Sequence, residues 1–272
     1  MKTKIVIENN QKQSIFTQLK RVWDFRQLLW VLTKRDIKVQ YSQTYLGILW
    51  SFLQATVAAA IVYLFFGFLM KVDTAPYPYL IFAFPGMIAW YYFSNINAFA
   101  GSSLLQSQHI IKKVYFPKLI LPISKSLVGM FDLSVWFSVY LLICLYYGHP
   151  LSIKILLFPL AVFFNMLAGL SIAIWLSAIT VKRRDALMII PYLIGFGIFV
   201  TPVFYPSTMV PEQYHFFIHF NPMAGVVAFY RWIFMDYALN IQYLFGFIPI
   251  LLLLGFGLHF FKKIESVMAD WL

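Results

Sequence analysis

ILLFPLAVFFNMLAGLSIAIWLSAI, Ile155–Ile179, runs for twenty-five residues without one charged side chain. A bilayer core about 30 Å thick is crossed by about 20 residues of helix, so this stretch is long enough to span. Five others share its character: Phe52–Met70, Tyr79–Ala100, Leu127–Tyr147, Leu187–Tyr205 and Ile241–Phe261. All are too long for barrel strands, which need about ten residues and alternate in polarity. Lipid offers no partner for free backbone groups, so these runs must be helices. The expected fold is an all-α polytopic membrane protein with six transmembrane helices.

Composition points the same way. Hydrophobic residues make up 61% of the 272 and charged residues only 11%, with a mean hydropathy of +0.77. A soluble domain carries about a quarter of its residues charged, because it must keep a wetted surface. Lipid removes that need. The first forty residues hold nine Lys or Arg and no clean apolar run, so Phe52–Met70 is read as a retained span and not as a cleaved signal. The single Cys144 excludes a disulfide scaffold within one chain and any cysteine-based metal cluster.

The net charge of +11 is informative through its distribution. Nine basic residues, Lys2 to Lys38, precede the first span, and Lys112, Lys113, Lys118 and Lys125 lie between the second and third. Lys182, Arg183 and Arg184 separate the fourth and fifth, and Lys262 and Lys263 follow the sixth. Only Lys71, Lys154 and Arg231 fall on the other side. The positive-inside rule therefore puts both termini in the cytoplasm of an inner-membrane protein. Attraction to anionic lipid accounts for the charge, and nucleic acid is not the expected partner.

Three segments are not plain spans. Ser14–Gln40 mixes Ile15, Leu19, Val22, Trp23, Leu29 and Trp30 with Lys20, Arg21, Arg26, Lys34 and Arg35 near helical spacing. It predicts an amphipathic helix in the cytoplasmic interface, with part of its broad apolar face against protein. Gly101–Pro122 is too polar to span and too apolar for a hydrated loop; a short helix near Ser103–Val114, ended by Pro117 and Pro122, would expose His109, Lys112 and Lys113. It reads equally as a docking element for a cytosolic partner or as a second interface helix. Pro206–Asn240 holds two short helical pieces, Glu212–Phe220 and Met223–Met235, which read as outer re-entrant helices or as a helical cap. The resulting organisation is a cytoplasmic N-terminus with its interface helix over 1–47, a six-span domain over 48–262, and a short cytoplasmic tail over 263–272.

Asp132 is the only acid well inside a span, and no other span has a central acid or base. That argues against a proton- or ion-driven transporter and for a structural role, with the carboxylate facing the bundle interior, paired, or near the interface. Lys125 lies on roughly the same face, two turns away. Asn95, Asn97, Asn165 and Gln54 are able to bond across helices or line a polar path. Pro85, Pro159, Pro191 and Pro202 are expected to interrupt helices. Mid-span aromatics, among them Tyr63, Trp136, Phe163, Trp175, Phe196 and Phe199, suit either a sugar chain sliding past flat faces or simple packing in lipid.

No phosphate-binding GxxxxGK[ST] loop occurs, and the five histidines match no metal motif. His215 and His219, four apart, read as interfacial aromatics. Energy for any driven work must come from another subunit.

RDIKVQYSQTYLGILWSFLQ (Arg35–Gln54), KKVYFPKLILP (Lys112–Pro122), LSAITVKRRDA (Leu176–Ala186), TPVFYPSTMVPEQYHFFIHFNPMAGVVAFYR (Thr201–Arg231) and FKKIESVMADWL (Phe261–Leu272) resemble, in order, the membrane subunits of ABC-2 type exporters of cell-surface polysaccharides such as O-antigen and capsule. The resemblance covers about nine tenths of the chain. It implies a bacterial inner-membrane permease that pairs with a second copy and with two nucleotide-binding ATPase subunits. ATP and Mg would sit on those partners, this chain binding no cofactor, and the cargo would be a lipid-linked polysaccharide. By the same likeness Gln106–Tyr115 would be the main coupling element, with His109, Lys112, Lys113 and Tyr115 facing the ATPase. Val181–Ala186 would add Arg183, Arg184 and Asp185. Trp23–Tyr45 would hold the interface helix and the turn into the first span. Beyond the likeness itself, the basic side chains Arg35 and Lys38, with Arg183 and Arg184, are candidates for guiding a lipid diphosphate. Pro206–Arg231 would form the outer gate, with Pro206, Pro211, Phe216, Phe217 and Pro222 shaping it. An ABC-2 exporter of a small molecule or lipid, and a passive channel or scaffold, are the rival readings.

Overall fold

The computed structural model describes residues 15–42, 46–265 and 268. Lys2, Lys4 and Lys12, the end of the turn before the first span, and most of the 263–272 tail lie outside the described residues. The elements are α1 (Ile15–Asp24), α2 (Arg26–Ser42), α3 (Leu49–Val62, continued as a π-helix over Tyr63–Leu69), α4 (Tyr79–Gly101), α5 (Ser103–Gln106), α6 (Gln108–Ile111), α7 (Ile120–Tyr147), α8 (Phe158–Lys182), α9 (Ala186–Val200), α10 (His215–Phe220), α11 (Pro222–Met235) and α12 (Phe247–Glu265).

Four helical stretches are long and apolar enough to cross a membrane: Leu49–Leu69, Ile120–Tyr147, Ile153–Lys182 and Ile241–Glu265. Large apolar side chains stand exposed along their outer faces, including Phe65, Phe68, Leu145, Leu251, Leu252 and Phe256. A water-exposed surface of that kind would aggregate, so its solvent is lipid. The chain is an all-α, multi-pass membrane protein.

α4 sits at the centre, packed by α7, α8, α9 and α11. Every residue from Ile81 to Trp90 is buried. Protein rather than lipid surrounds it, which is why it tolerates Ser94, Asn95 and Asn97. Helix continues through Pro85. Gly86 follows because the 201–206 turn leans on it: a Cβ there would come 3.1 Å from Val227 Cγ1 and 3.3 Å from the Val203 carbonyl oxygen.

Contacts sort the connections into two ends. At one, which we call the basic end, the Thr180 hydroxyl of α8 donates to the Gly101 carbonyl at the end of α4 (3.2 Å). There too, the Lys118 amide donates to Glu265 Oε1 (2.8 Å) and its ammonium to the Glu265 carbonyl (2.7 Å), joining the end of α12 to the start of α7. Lys125 of α7 pairs with Asp36 of α2 at 2.9 Å. At the opposite end the Tyr79 hydroxyl of α4 donates to the Phe204 carbonyl (3.0 Å). Lys154 pairs with Asp236 and lies 4.7 Å from the Trp232 ring. The Lys154 ammonium, and then the Ser152 hydroxyl, hold the Asp236 carboxyl below its ordinary range. That clip is therefore present above the usual carboxylate pKa and is lost only as pH falls through the lowered one.

Several sequence expectations change. The interface helix is two helices, parted at Phe25. Its inner face buries Val22, Leu32 and Thr33 toward the bundle, with α2 packed on α7, while Trp23 and Trp30 are 69% and 56% exposed. The helix expected over Ser103–Val114 is two single turns, parted at Ser107. Pro122 does not end it but lies in the first turn of α7, where the missing N–H had no helical partner to lose. Pro159 likewise opens α8, and Pro202 lies beyond α9. Neither interrupts a helix. Arg231, assigned by charge counting to an outer surface, is buried at 4% exposure.

Candidate functional site

The basic end gathers the expected coupling residues. His109, Lys112, Lys113 and Tyr115 are exposed on α6 and the loop after it. Arg183, Arg184 and Asp185 are exposed in the turn between α8 and α9. α5 packs on both α7 and α8, and the Gly101–Thr180 bond ties the two segments together. Two separate stretches of chain thus present basic groups and an aromatic ring at one end of the bundle. Arg35 bonds Asp36 at 2.7 Å, so its guanidinium is partly committed, while Lys38 is exposed one turn on.

Asp132, 2% exposed, lies inside the bundle, as its cost in lipid requires. Its Oδ1 accepts from the hydroxyls of Tyr41 and Ser51, both at 2.5 Å. Its Oδ2 accepts from the amides of Gln40 (3.2 Å) and Asn95 (3.3 Å). One carboxylate therefore joins α2, α3, α4 and α7. Lys125 is not its partner, being taken by Asp36. Asn165 also bonds across helices, donating to the Ala89 carbonyl at 2.9 Å and to the Tyr230 oxygen at 3.3 Å, whereas Asn97 only bonds its own backbone at Phe93.

The six aromatics expected along a path do not share one face. Trp136 is buried in the core, stacked on Tyr91 with centroids 4.2 Å apart. Trp175 donates its indole N–H to the Leu253 carbonyl at 2.8 Å and stacks on Phe260, so it packs against α12. Phe163 is exposed on α8. Tyr63, Phe196 and Phe199 stand exposed on α3 and α9 at 41%, 68% and 58%. Phe66 and Phe199 both meet Phe204, which brings the ends of α3 and α9 together at the opposite end.

That end is built around Arg231. Its Nε donates to the Phe82 carbonyl at 3.2 Å, an NH2 donates to the Val203 carbonyl at 2.7 Å, and the guanidinium lies 3.7 Å from the Phe82 ring centroid. Asn221, which caps α11 by accepting from the Met223 amide, also donates to the Thr201 hydroxyl at 2.9 Å. The non-helical 201–204 backbone is buried and takes protein partners in place of solvent. α11 reaches far inward, because its Tyr230 meets Asn165 beside Ala89, about 15 Å along α4 from its start. Pro206 is buried below the turn, Pro222 opens α11, and Pro211 precedes the short turn into α10. Phe216 and Phe217 stand exposed on α10 at 63% and 68%. His215 bonds the Val210 carbonyl, and His219 packs edge-on to Tyr243. Among the described residues no group of three His, Cys, Asp or Glu could hold a metal ion.

Neither Arg231 nor the partners Gln40, Tyr41 and Ser51 stood out in the sequence as functional. A lone arginine between apolar residues was the only available signal.

A multi-pass helical membrane bundle, basic at one end and braced by buried polar ties, is the class of protein that the geometry defines. The chain belongs to the ABC-2 type transporter family, whose profile matches residues 27–235. It is a transport subunit and not itself an enzyme. It is similar to the O-antigen export system permease protein RfbA of Klebsiella pneumoniae, with 29% identity over 249 residues, covering 89% of this chain and 94% of that protein. The protein of the same name from Myxococcus xanthus is 27% identical over 223 residues, covering 81% and 85%. The polysialic acid transport protein KpsM of Escherichia coli is 24% identical over 235 residues, covering 83% and 89%.

Proposed function

We propose that this chain is the membrane half of an ATP-driven exporter that moves a lipid-linked cell-surface polysaccharide, such as an O-antigen or capsule chain, out of the cytoplasm. The likeness to O-antigen export permeases over nearly their whole length carries the reading. Two copies pair and bind two nucleotide-binding subunits, which hold ATP and Mg. Deleting the gene is expected to trap lipid-linked polymer inside the cell; unchanged surface polysaccharide would instead indicate a small-molecule or lipid cargo.

The chain crosses the inner membrane six times, with the basic end and both termini in the cytoplasm. The four long apolar stretches are joined by α4, about 35 Å long, and by α9 with the buried turn after it. The organisation is a cytoplasmic 1–47, a membrane domain over 48–262 and a tail over 263–272. Accessibility tags beside Lys182 and within Glu212–Phe220 should report opposite compartments.

At the basic end His109, Lys112, Lys113 and Tyr115, with Arg183, Arg184 and Asp185, receive the ATPase. Closure of the ATPase pair pushes there and separates the two permease halves. Arg35 and Lys38 face the diphosphate of the carrier lipid. Reversing charge at both positions (Lys112→Glu with Lys113→Glu) is expected to abolish copurification of the ATPase, because like charges then face the partner. Normal copurification would remove these residues from the interface.

Tyr63, Phe196 and Phe199 line the path between copies, Trp136 and Trp175 stiffen its walls, and Phe163 lies further along α8. Pro206, Pro211, Phe216, Phe217 and Pro222 shape the outer gate. Gly195 meets nothing within 4 Å and lies one turn from both Tyr192 and Phe199. Gly195→Trp therefore adds bulk to this face without a clash inside the chain. Export should fall while assembly with the ATPase persists; wild-type export would take α9 out of the path.

A further inference from the structure

The exposed 112–115 stretch, proposed above to meet the ATPase, runs into a segment that the rest of the protein holds. The amides of Lys113 and Val114 still donate back to the Ile110 carbonyl. Those of Tyr115 and Phe116 donate to nothing among the described residues, and Pro117 has no N–H to give. Two contacts fix the chain there instead. Phe116 is buried at 4% exposure, and Lys118 is clasped by Glu265, the last residue of α12.

In that clasp each side chain holds the other's main chain. The Glu265 carboxylate accepts from the Lys118 amide at 2.8 Å, and the Lys118 ammonium donates to the Glu265 carbonyl at 2.7 Å. This carbonyl ends α12, where carbonyls lack helical partners and the helix dipole favours a cation. Two charges meeting tip to tip would leave both backbones slack by the length of two side chains. Two crossed bonds to main chain leave little slack.

From the clasp α12 leads to the second exposed patch. It packs along α8, where the Trp175 indole stacks on Phe260 and donates to the Leu253 carbonyl at 2.8 Å. The approach is close: a Cβ at Gly257 would come 2.6 Å from the Trp175 ring. About two turns beyond Trp175, α8 ends at Lys182 and gives way to the exposed Arg183, Arg184 and Asp185. The 112–115 and 183–185 stretches are thus joined through α12 as well as through the Gly101–Thr180 bond.

We infer that α12 is a strut that makes the two patches move as one body, with Lys118 and Glu265 as the positioning residues that fix the docking loop to it. This rests on the proposed docking of an ATPase at the basic end, and adds how a push on one patch reaches the other. Lys118 and Glu265 are not docking contacts themselves, because their charged groups are engaged with each other's main chain.

The test uses the permease with its ATPase in cells that make the polymer. Glu265→Leu removes the acceptor of the Lys118 amide. Surface polysaccharide should fall about ten-fold, the weight of one charge-assisted bond, while the ATPase copurifies and hydrolyses ATP as before. Glu265→Gln keeps an oxygen in the same place and should export near the wild-type level. Wild-type export by Glu265→Leu, loss of the ATPase from it, or an equal defect in Glu265→Gln overturns the inference. Where Glu265→Leu lowers the amount of permease, a bridge decides. Lys118→Cys with Glu265→Cys should export poorly and recover when a short bifunctional thiol reagent joins the two, the native Cys144 being buried. No recovery overturns the inference. If charge reversal at Lys112 and Lys113 leaves copurification intact, the docking reading itself fails; intact docking with wild-type export by Glu265→Leu fails the strut alone.

Discussion

Arg231→Ala is expected to cost more export than any other single change at the outer end. The guanidinium serves the Phe82 and Val203 carbonyls at once, and hydrogen bonds to charged groups contribute about 1.5–3 kcal/mol each. Working against that loss, removal also relieves the desolvation of a charge that has carbonyl partners and no carboxylate among its hydrogen bonds. The net fall in stability should therefore be well short of the summed bonds, about 2 kcal/mol, visible as a lower melting temperature in detergent. The larger consequence is geometric. Val203 is the carbonyl that presses on Gly86, and without Arg231 the 201–204 turn keeps only the Tyr79–Phe204 and Asn221–Thr201 bonds at its two ends. Arg231→Lys should not rescue, since an ammonium cannot present the fork that reaches both oxygens. Wild-type export by Arg231→Met would show that the two bonds are dispensable.

Asp132→Ala is expected to loosen α2 from the bundle. It strands four donors, the hydroxyls of Tyr41 and Ser51 and the amides of Gln40 and Asn95, where each unsatisfied group costs about 1–3 kcal/mol in a dry interior. Measured couplings inside membranes are smaller, about 0.6 kcal/mol on average, because the groups find other partners. Even at that lower value four losses add up to a large change for one side chain. Asp132→Asn should be milder, since the two hydroxyls are able to turn and accept from its new amide. The readout is proteolysis at Lys34 and Arg35 on α2, faster in Asp132→Ala and intermediate in Asp132→Asn. The Asp36–Lys125 pair still ties α2 to α7, so Asp132→Ala combined with Lys125→Ala should be cleaved fastest. Equal cleavage in all variants would reduce the Asp132 cluster to local packing.

Both sites show where reading residues in order falls short. Asp132 was legible as an interior acid, because an unpaired carboxylate has no place in lipid. Its donors were not, since Tyr41 and Ser51 lie 91 and 81 positions away and are unremarkable types. Lys125 lies on roughly the same face by helical spacing, yet Asp36 arrived from α2 and took it. Arg231 was misplaced for a related reason. Charge counting assumes that a basic residue ends in water, while this one meets backbone carbonyls left open by an irregular turn. Trp136, Trp175 and Phe196 are all mid-span aromatics; only packing sets the first two against Tyr91 and α12 and leaves the third exposed.

What the order of residues settled is the choice of solvent and the class of element. Runs of about 20 apolar residues leave helix as the only backbone that satisfies itself in lipid, and the distribution of lysine and arginine marks one set of connections as different from the other. What waited for the folded chain is which helix lies at the centre, which polar side chains meet, and where a cavity remains. Those depend on contacts between residues tens of positions apart, and a hydrophobic run carries no record of the neighbour it will pack against. α4 is the clearest instance: an apolar run like the others by its letters, it is the most enclosed, because protein and not lipid is its solvent.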